Sequence, residues 1–176
     1  SQGFKDRAAA AFRAAVSAKP DYMRAWNNLG STLLFMDRAD EAAECFARAL
    51  EIDPNYAFAH LNLGLYHLGG GRFAQAEESL TRAAGLEPRM AEAHLGLGRL
   101  HRELMDVERA EQSLRHSVAL NPRGIDAWLS LGEVMAETGS RDEALECYRR
   151  VLEIQPANLR ARIGLALTLP QIYTDA

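Results

Sequence analysis

The chain has 176 residues, of which 48% are hydrophobic and 25% charged, a composition that is ordinary for a soluble folded protein. Its 20 basic and 24 acidic side chains leave a net charge of −4, which gives no reason to expect nucleic-acid binding, although local basic patches remain compatible with it. No apolar run approaches the ~20 residues that span a bilayer, and no signal peptide is visible. Neither nucleic acid nor a membrane is therefore an expected partner.

Prolines recur along the chain at a constant spacing of 34 residues, at Pro20, Pro54, Pro88, Pro122 and Pro156. A fixed period between about 20 and 50 residues indicates a repeat array, in which one supersecondary unit is stacked several times. The length of such an array counts repeats rather than domains. Because repeat arrays mostly act as binding scaffolds, the period favours binding over catalysis.

The period predicts a single repeat domain over residues 1–176. Residues 1–22 are expected to form half a repeat that supplies a second helix only, with apolar positions at Ala8, Phe12 and Ala15. Four full repeats follow, at 23–56, 57–90, 91–124 and 125–158. A terminal first helix at 159–170 and an exit tail at 171–176 complete the chain.

Each full repeat reads as two helices separated by a short break. The first helix carries a Leu-Gly pair in a recurring motif, W-N-N-L-G at 26–30, H-L-N-L-G at 60–64, H-L-G-L-G at 94–98 and W-L-S-L-G at 128–132. A glycine inside a helix costs about 1 kcal/mol relative to alanine, so its recurrence indicates that two helices approach closely there.

The second helix of each repeat has an alanine followed four residues later by a large apolar residue. These pairs are Ala42 and Phe46, Ala76 and Leu80, Ala110 and Leu114, and Ala144 and Tyr148. The alanine is the expected surface opposite the glycine of the first helix. Ser140 and Glu143 predict a capping box at the start of the last second helix.

These motifs resemble the tetratricopeptide repeat, whose period is 34 residues. The resemblance covers nearly the whole chain and departs from the family pattern mildly, with His60 and His94 in the place of the Trp-type residue. It implies an all-α fold, a right-handed superhelical solenoid of helix-turn-helix repeats, and a function in protein recognition.

The two cysteines, Cys45 and Cys147, occupy the same position in their repeats and lie three periods apart. Stacked helical layers are separated by roughly 8–10 Å each. This separation exceeds the ~7 Å Cα limit for a disulfide. Both are interpreted as small buried hydrophobes, which fits a reducing compartment and a cytoplasmic location.

No catalytic or cofactor-binding arrangement is recognised, so the chain is predicted to be non-catalytic and to need no cofactor. Gly69, Gly70 and Gly71 form a helix-helix turn rather than a phosphate loop, because no strand precedes them and no Lys-Ser/Thr follows. Four histidines were weighed as zinc ligands and are interpreted as packing residues, since they occupy core positions of the repeat: His60, His67, His94 and His101.

The resemblance implies a partner-binding groove along the first helices, which would hold a protein or an extended peptide. The candidate groove residues are Arg24, Asn27, Asn28, Ser31, Phe58, Leu61, Asn62, Leu65, Arg99 and Arg102. Asparagine amides would hold the backbone of the ligand, because an amide both donates and accepts hydrogen bonds. Phe58, Leu61 and Leu65 would form an apolar pocket, and the two later arginines would pair with acidic groups on the partner.

Two further features favour a particular subfamily. Asn28 and Asn62 stand where the repeat region of O-linked N-acetylglucosamine transferases carries an asparagine ladder, and residues 167–173 are similar to the exit from the repeats in bacterial, SPINDLY-like proteins of that group. The chain is thus expected to be the substrate-recruiting arm of a larger protein glycosyltransferase, or alternatively a stand-alone scaffold. Both ends lack a polar outer face, which predicts self-association.

Overall fold

The structure is a computed structural model that describes residues 2–169. The predicted exit tail at 171–176 and the end of the residue 167–173 segment lie outside the described residues. Residues 2–169 form ten α-helices and no strand, so the all-α prediction is confirmed. The helices are α1 (Gln2–Ala18), α2 (Met23–Leu34), α3 (Ala39–Ile52), α4 (Ala57–Gly69), α5 (Phe73–Leu86), α6 (Ala91–Glu103), α7 (Val107–Leu120), α8 (Ile125–Glu137), α9 (Arg141–Ile154) and α10 (Leu159–Thr168).

The helices belong to two compact units, Ser1–Arg89 and Met90–Ala176. In the first unit α2 packs on α3 and α4 on α5, while α1 lies against α2 and α3 against α4. In the second unit α6 packs on α7 and α8 on α9, while α7 lies against α8, and α10 against both α8 and α9. None of the helices in residues 2–169 is long and apolar enough to cross a membrane.

The turn inside each helix pair uses one residue in the left-handed backbone region. Gly71 and Gly139 have φ of 69° and 80°, and Asp37 and Met105 both have φ of 59°. All four hold the same place in the repeat, 14 residues after the start of the first helix. Glycine adopts this conformation without a steric penalty. The strain of the other two residues is tolerated because the packed helices on either side fix the turn.

The glycine of each first helix lies directly beneath the large apolar residue of the second helix. A Cβ added to Gly30 would lie 2.5 Å from Phe46 Cε1 and 2.9 Å from the carbonyl oxygen of Ala42. The same relation joins Gly64 to Leu80, Gly98 to Leu114 and Gly132 to Tyr148, at 2.5–2.8 Å. The predicted close approach is therefore present, but the large side chain covers the glycine more closely than the alanine does.

The Trp-type position of the repeat is tied to the proline that ends the preceding repeat. Trp26 Nε1 donates a 2.9 Å hydrogen bond to the carbonyl oxygen of Pro20, and Trp128 Nε1 donates a 3.0 Å bond to that of Pro122. His60 Nε2 lies 2.9 Å from the carbonyl oxygen of Pro54. Histidine can therefore replace tryptophan here, because its ring nitrogen reaches the same acceptor.

The predicted capping box at Ser140 is wrong. The Ser140 side chain makes no capping hydrogen bond, and its hydroxyl oxygen instead lies 3.4 Å from Oγ1 of Thr138. Side-chain caps occur at two other helices. Asp106 accepts a hydrogen bond from the backbone N–H of Arg109 at the start of α7, and Asn158 accepts one from Ala161 at the start of α10. Asp and Asn are preferred N-cap residues, so this signal is present in the sequence.

Candidate protein-binding surface

The candidate residues of the first unit lie on one side of α2 and α4. Arg24, Asn28 and Ser31 follow the helical spacing of four and three residues on α2, and Phe58, Asn62 and Leu65 repeat it on α4. Because α2 and α4 contact each other, the two rows form one surface, which we call the α2–α4 surface. On it Arg24, Asn28, Phe58 and Leu65 are exposed, while Ser31 and Asn62 are half-buried.

Two of the predicted groove residues lie beneath this surface. Asn27 is 6% exposed and Leu61 is 7% exposed, so neither presents much area to a ligand. Asn62 Nδ2 donates a 2.9 Å hydrogen bond to Asn27 Oδ1, which joins α4 to α2. The asparagines at the two ladder positions thus differ. Asn28 is exposed, whereas Asn62 uses one of its two amide protons within the chain and keeps the other for a ligand.

Large apolar side chains surround these amides. Phe35 at the end of α2 is 71% exposed, Phe58 is 51% exposed, and both Leu34 and Leu65 are 37% exposed. The ring centroids of Phe58 and Tyr56 are 5.8 Å apart, which steadies the exposed phenyl ring. Of the three residues of the predicted apolar pocket, Phe58 and Leu65 are accessible and Leu61 is their support.

The candidate arginines of the second unit already face carboxylates of the same chain. Arg99 lies 3.5 Å from Asp126, and Arg102 lies 2.5 Å from Glu133 and 3.4 Å from Glu137. Glu133 also pairs with a third arginine on α10, at 2.7 Å. We call this set the ion cluster: Arg99, Arg102, Asp126, Glu133, Glu137 and Arg160. Its three positive and three negative charges cancel, so an acidic partner group must compete with these carboxylates. Pairing of Arg99 and Arg102 with a partner stays a prediction.

Replacing Glu133 by glutamine is expected to make the second unit bind acidic peptides more tightly. Arg102 and Arg160 each lose a carboxylate, and exposed ion pairs contribute about 0.2–1 kcal/mol each. The dissociation constant of a hexaglutamate peptide should therefore fall by roughly 2- to 5-fold. Fluorescence anisotropy at low ionic strength measures this constant.

The matched control is Glu153→Gln, which removes the same charge from a 3.0 Å pair with Arg150 on α9, outside the ion cluster. Equal tightening in both variants would mean that only net charge matters, and would contradict a role for the cluster.

The histidines are held by packing and local hydrogen bonds. His67 Nδ1 accepts a 3.0 Å bond from Arg72 Nε, and burial together with the Arg72 charge lowers the pKa of His67. The rings of His94 and His116 stack at 4.0 Å. His101 is buried, with Ser113 Oγ 3.5 Å from its Nδ1. Within residues 2–169 no three His, Cys, Asp or Glu side chains come together as metal ligands.

The two cysteines are buried free thiols, one in each unit. Burial raises the pKa of both, and that of Cys147 to about 11. Because the thiolate is the nucleophile and the metal ligand, a raised pKa makes these thiols poor at both tasks.

A depression of about 700 Å³ lies elsewhere on the first unit, mostly along α5. Its lining is polar and includes His60, His67, Glu78 and Arg82. The Arg82 guanidinium donates to Asn55, and both histidines have the contacts described above. Its side chains are occupied with one another and do not converge on a common point, so it adds no second candidate site.

Comparison with known proteins agrees with this architecture. Models of the tetratricopeptide repeat match residues 21–86, 61–125 and 125–168, which together span most of the chain. No curated protein matches the chain significantly.

Similar solved structures include several tetratricopeptide proteins. TTC0263, a thermophilic protein of Thermus thermophilus, is 27% identical with a TM-score of 0.78, over 95% of this chain and 91% of that one. YrrB, described as having an unusual peptide-binding site, is 24% identical with a TM-score of 0.73, over 92% and 83%. MamA is 24% identical with a TM-score of 0.73, over 88% and 91%. With the 34-residue period and the paired helices, these matches show that the chain belongs to the tetratricopeptide repeat family.

Proposed function

We propose that the chain is a protein-interaction module that binds an extended segment of a partner protein on the α2–α4 surface. The observation that carries the proposal is the exposure of Phe35, Phe58 and Leu65 around the exposed amide of Asn28. Contiguous apolar side chains beside polar groups mark interaction sites on soluble proteins. YrrB, which shares the fold, is described as having a peptide-binding site, and this adds support.

Each exposed residue has a distinct role in this binding mode. Asn28 and the remaining amide proton of Asn62 pair with the backbone of the ligand, which any sequence offers. Phe58 and Leu65 contact an apolar side chain of the ligand and bury its surface. Arg24, exposed on the same side, attracts a carboxylate. Asn27 and Leu61 support this surface from below rather than touch the ligand. Along the second unit, Arg99 and Arg102 contact acidic groups that displace their own carboxylates.

Replacing Leu65 by glutamate together with Asn28 by alanine is expected to weaken peptide binding at least 10-fold. The charge would be buried against an apolar ligand group, and one backbone contact would be lost, which together exceed about 1.4 kcal/mol. The probe is a peptide selected on the unmodified chain from a random phage-displayed library, and fluorescence anisotropy gives its dissociation constant.

The matched control is Met105→Glu, because Met105 is 84% exposed but lies in a turn of the second unit. Helix content from circular dichroism confirms that both variants fold. Equal binding by the unmodified chain and the double variant would move the site away from the α2–α4 surface and refute the proposal.

More specifically, the chain is the substrate-recruiting arm of a larger bacterial, cytoplasmic protein O-glycosyltransferase. It holds the acceptor protein near a catalytic domain, which raises the local concentration of acceptor. The position of Asn28 and Asn62 on the α2–α4 surface supports this role, since both can reach a ligand backbone. The chain itself is non-catalytic, uses no cofactor, and takes neither nucleic acid nor membrane as partner.

The parent gene gives the first test of this specific role. A glycosyltransferase domain after residue 176 is expected, and an excess of the isolated chain should then inhibit glycosylation of a protein acceptor but not of a short acceptor peptide that lacks the recruited segment. A stop codon soon after residue 176 would contradict it.

The alternative is a stand-alone scaffold, which the contrast between the two units favours. The first unit offers an apolar surface with amides, while the second offers the neutral ion cluster, so the two suit different partners. A scaffold of this kind would hold two proteins at once, and mass measurement of a ternary complex would distinguish it from a recruiting arm.

A further inference from the structure

The first helix of the chain exposes a face that is buried in every full repeat. Phe12 precedes Pro20 by eight residues, as Phe46 precedes Pro54, so the two phenylalanines are equivalent. At this position Phe46, Leu80, Leu114 and Tyr148 are 0–4% exposed, whereas Phe12 is only half-buried. Ala8 and Ala15 are likewise half-buried, where Ala42 and Ala49 are 0% exposed. We call Phe4, Ala8, Phe12 and Ala15 the α1 face; Phe4, one turn before Ala8, is 74% exposed.

The last helix exposes the opposite half of the same contact. Ala166 follows the start of α10 by seven residues, as Gly30 follows the start of α2. Gly30, Gly64, Gly98 and Gly132 are all buried beneath the second helix of their repeat, whereas Ala166 is exposed. Beside it Leu159, Ile163 and Leu167 are 68%, 50% and 81% exposed. We call these four residues the α10 face: Leu159, Ile163, Ala166 and Leu167.

The two faces are complementary by the packing rule of this chain. In each full repeat a small residue of the first helix receives the large residue of the second helix, as Gly30 receives Phe46. The α10 face presents the small residue, Ala166, without its large partner. The α1 face presents the large residue, Phe12, without its small partner. Each end therefore carries the half of a helix pair that the other end lacks.

We infer that a second copy of this chain covers these faces, with the α1 face of one molecule packed on the α10 face of the next. The composite repeat formed by α10 and the neighbour's α1 reproduces the contact of α2 with α3. The contact is head-to-tail, so each molecule keeps one free face of each kind and assembly continues into chains or closes into rings. This inference rests on the repeat packing and is independent of the peptide-binding proposal.

The test uses one variant for each face and measures mass by light scattering after size exclusion. Ala166→Arg blocks the α10 face, and Ala8→Arg blocks the α1 face. The unmodified chain should show a mass that rises with concentration above the 19.4 kDa monomer. Each variant alone should stay at 19.4 kDa. An equal mixture of the two should reach twice the monomer mass and no more, because one intact face of each kind remains.

The mixture separates this arrangement from the other contacts that sticky ends could make. If α10 paired with α10, the Ala8→Arg variant would still dimerise alone, and if α1 paired with α1, the Ala166→Arg variant would. Either result overturns the inference, as does an unmodified chain that remains monomeric at millimolar concentration.

Two controls accompany these variants. Phe4→Glu replaces Ala8→Arg if circular dichroism shows that the latter loses helix, since the Phe4 side chain is largely exposed. Met105→Glu, which removes an exposed apolar side chain far in sequence from both ends, should associate as the unmodified chain does. Loss of association in Met105→Glu would contradict a contact confined to the ends.

Discussion

Replacing Phe46 by alanine is expected to lower the free energy of unfolding by about 3–5 kcal/mol. The Phe46 ring is 0% exposed and lies over Gly30, so its removal leaves a cavity between α2 and α3 that the helices can fill only by moving. Urea denaturation followed by circular dichroism at 222 nm measures the loss. In a repeat array the neighbouring repeats also lose part of their support, because each repeat is stabilised by its neighbours.

The control for this variant is Phe35→Ala, which removes the same side chain from a position that is 71% exposed. Its effect on the free energy of unfolding should stay within about 0.5 kcal/mol, as for most surface substitutions. If both variants lost similar stability, the contact between Phe46 and Gly30 would not explain the first result.

Replacing Gly30 by alanine is expected to destabilise the chain, although alanine is the better helix former by about 1 kcal/mol. The new methyl carbon would lie 2.5 Å from the Phe46 ring and 2.9 Å from the Ala42 carbonyl oxygen. The backbone of α3 cannot rotate away as a side chain can, so α2 and α3 must separate. Overpacking of this kind costs about 1–3 kcal/mol before the gain in helix propensity is subtracted.

Gly85→Ala provides the matched control, because Gly85 lies inside α5 and an added Cβ meets nothing within 4 Å. This variant should be stabilised by about 0.5–1 kcal/mol. A double-mutant cycle completes the test, since Gly30→Ala should cost less in the Phe46→Ala background, where the methyl group enters the empty space. Strictly additive effects would show that the two residues do not meet.

The architecture could be predicted because it rests on local and periodic signals. Pro54, Gly30 and Phe46 each recur at the same place in the repeat, and the spacing of apolar residues by three and four residues indicates helices. The turn positions were only partly visible. Gly71 and Gly139 mark a left-handed residue by their identity, but Asp37 and Met105 adopt the same conformation because the flanking helices impose it.

The candidate site was less predictable, because side-chain partners depend on neighbouring helices. The helical period places Asn27 and Asn28 on adjacent sides of α2, but it does not show that Asn27 accepts a bond from Asn62 and lies buried. Likewise Arg102 and Glu133 are 31 residues apart in sequence, and only the packing of α6 with α8 brings them into contact. A repeat position thus predicts the face on which a residue lies, but not its partner there.

The two buried thiols make the chain its own clock for local unfolding. Cys45 lies in α3 and Cys147 in α9, so each unit carries one thiol, and both are shielded in the folded state. A thiol reagent reaches either cysteine only when the helices around it separate. The labelling rates under native conditions therefore report the opening free energy of each unit separately. Mass spectrometry of singly labelled chains would reveal whether the array melts one unit at a time or all at once.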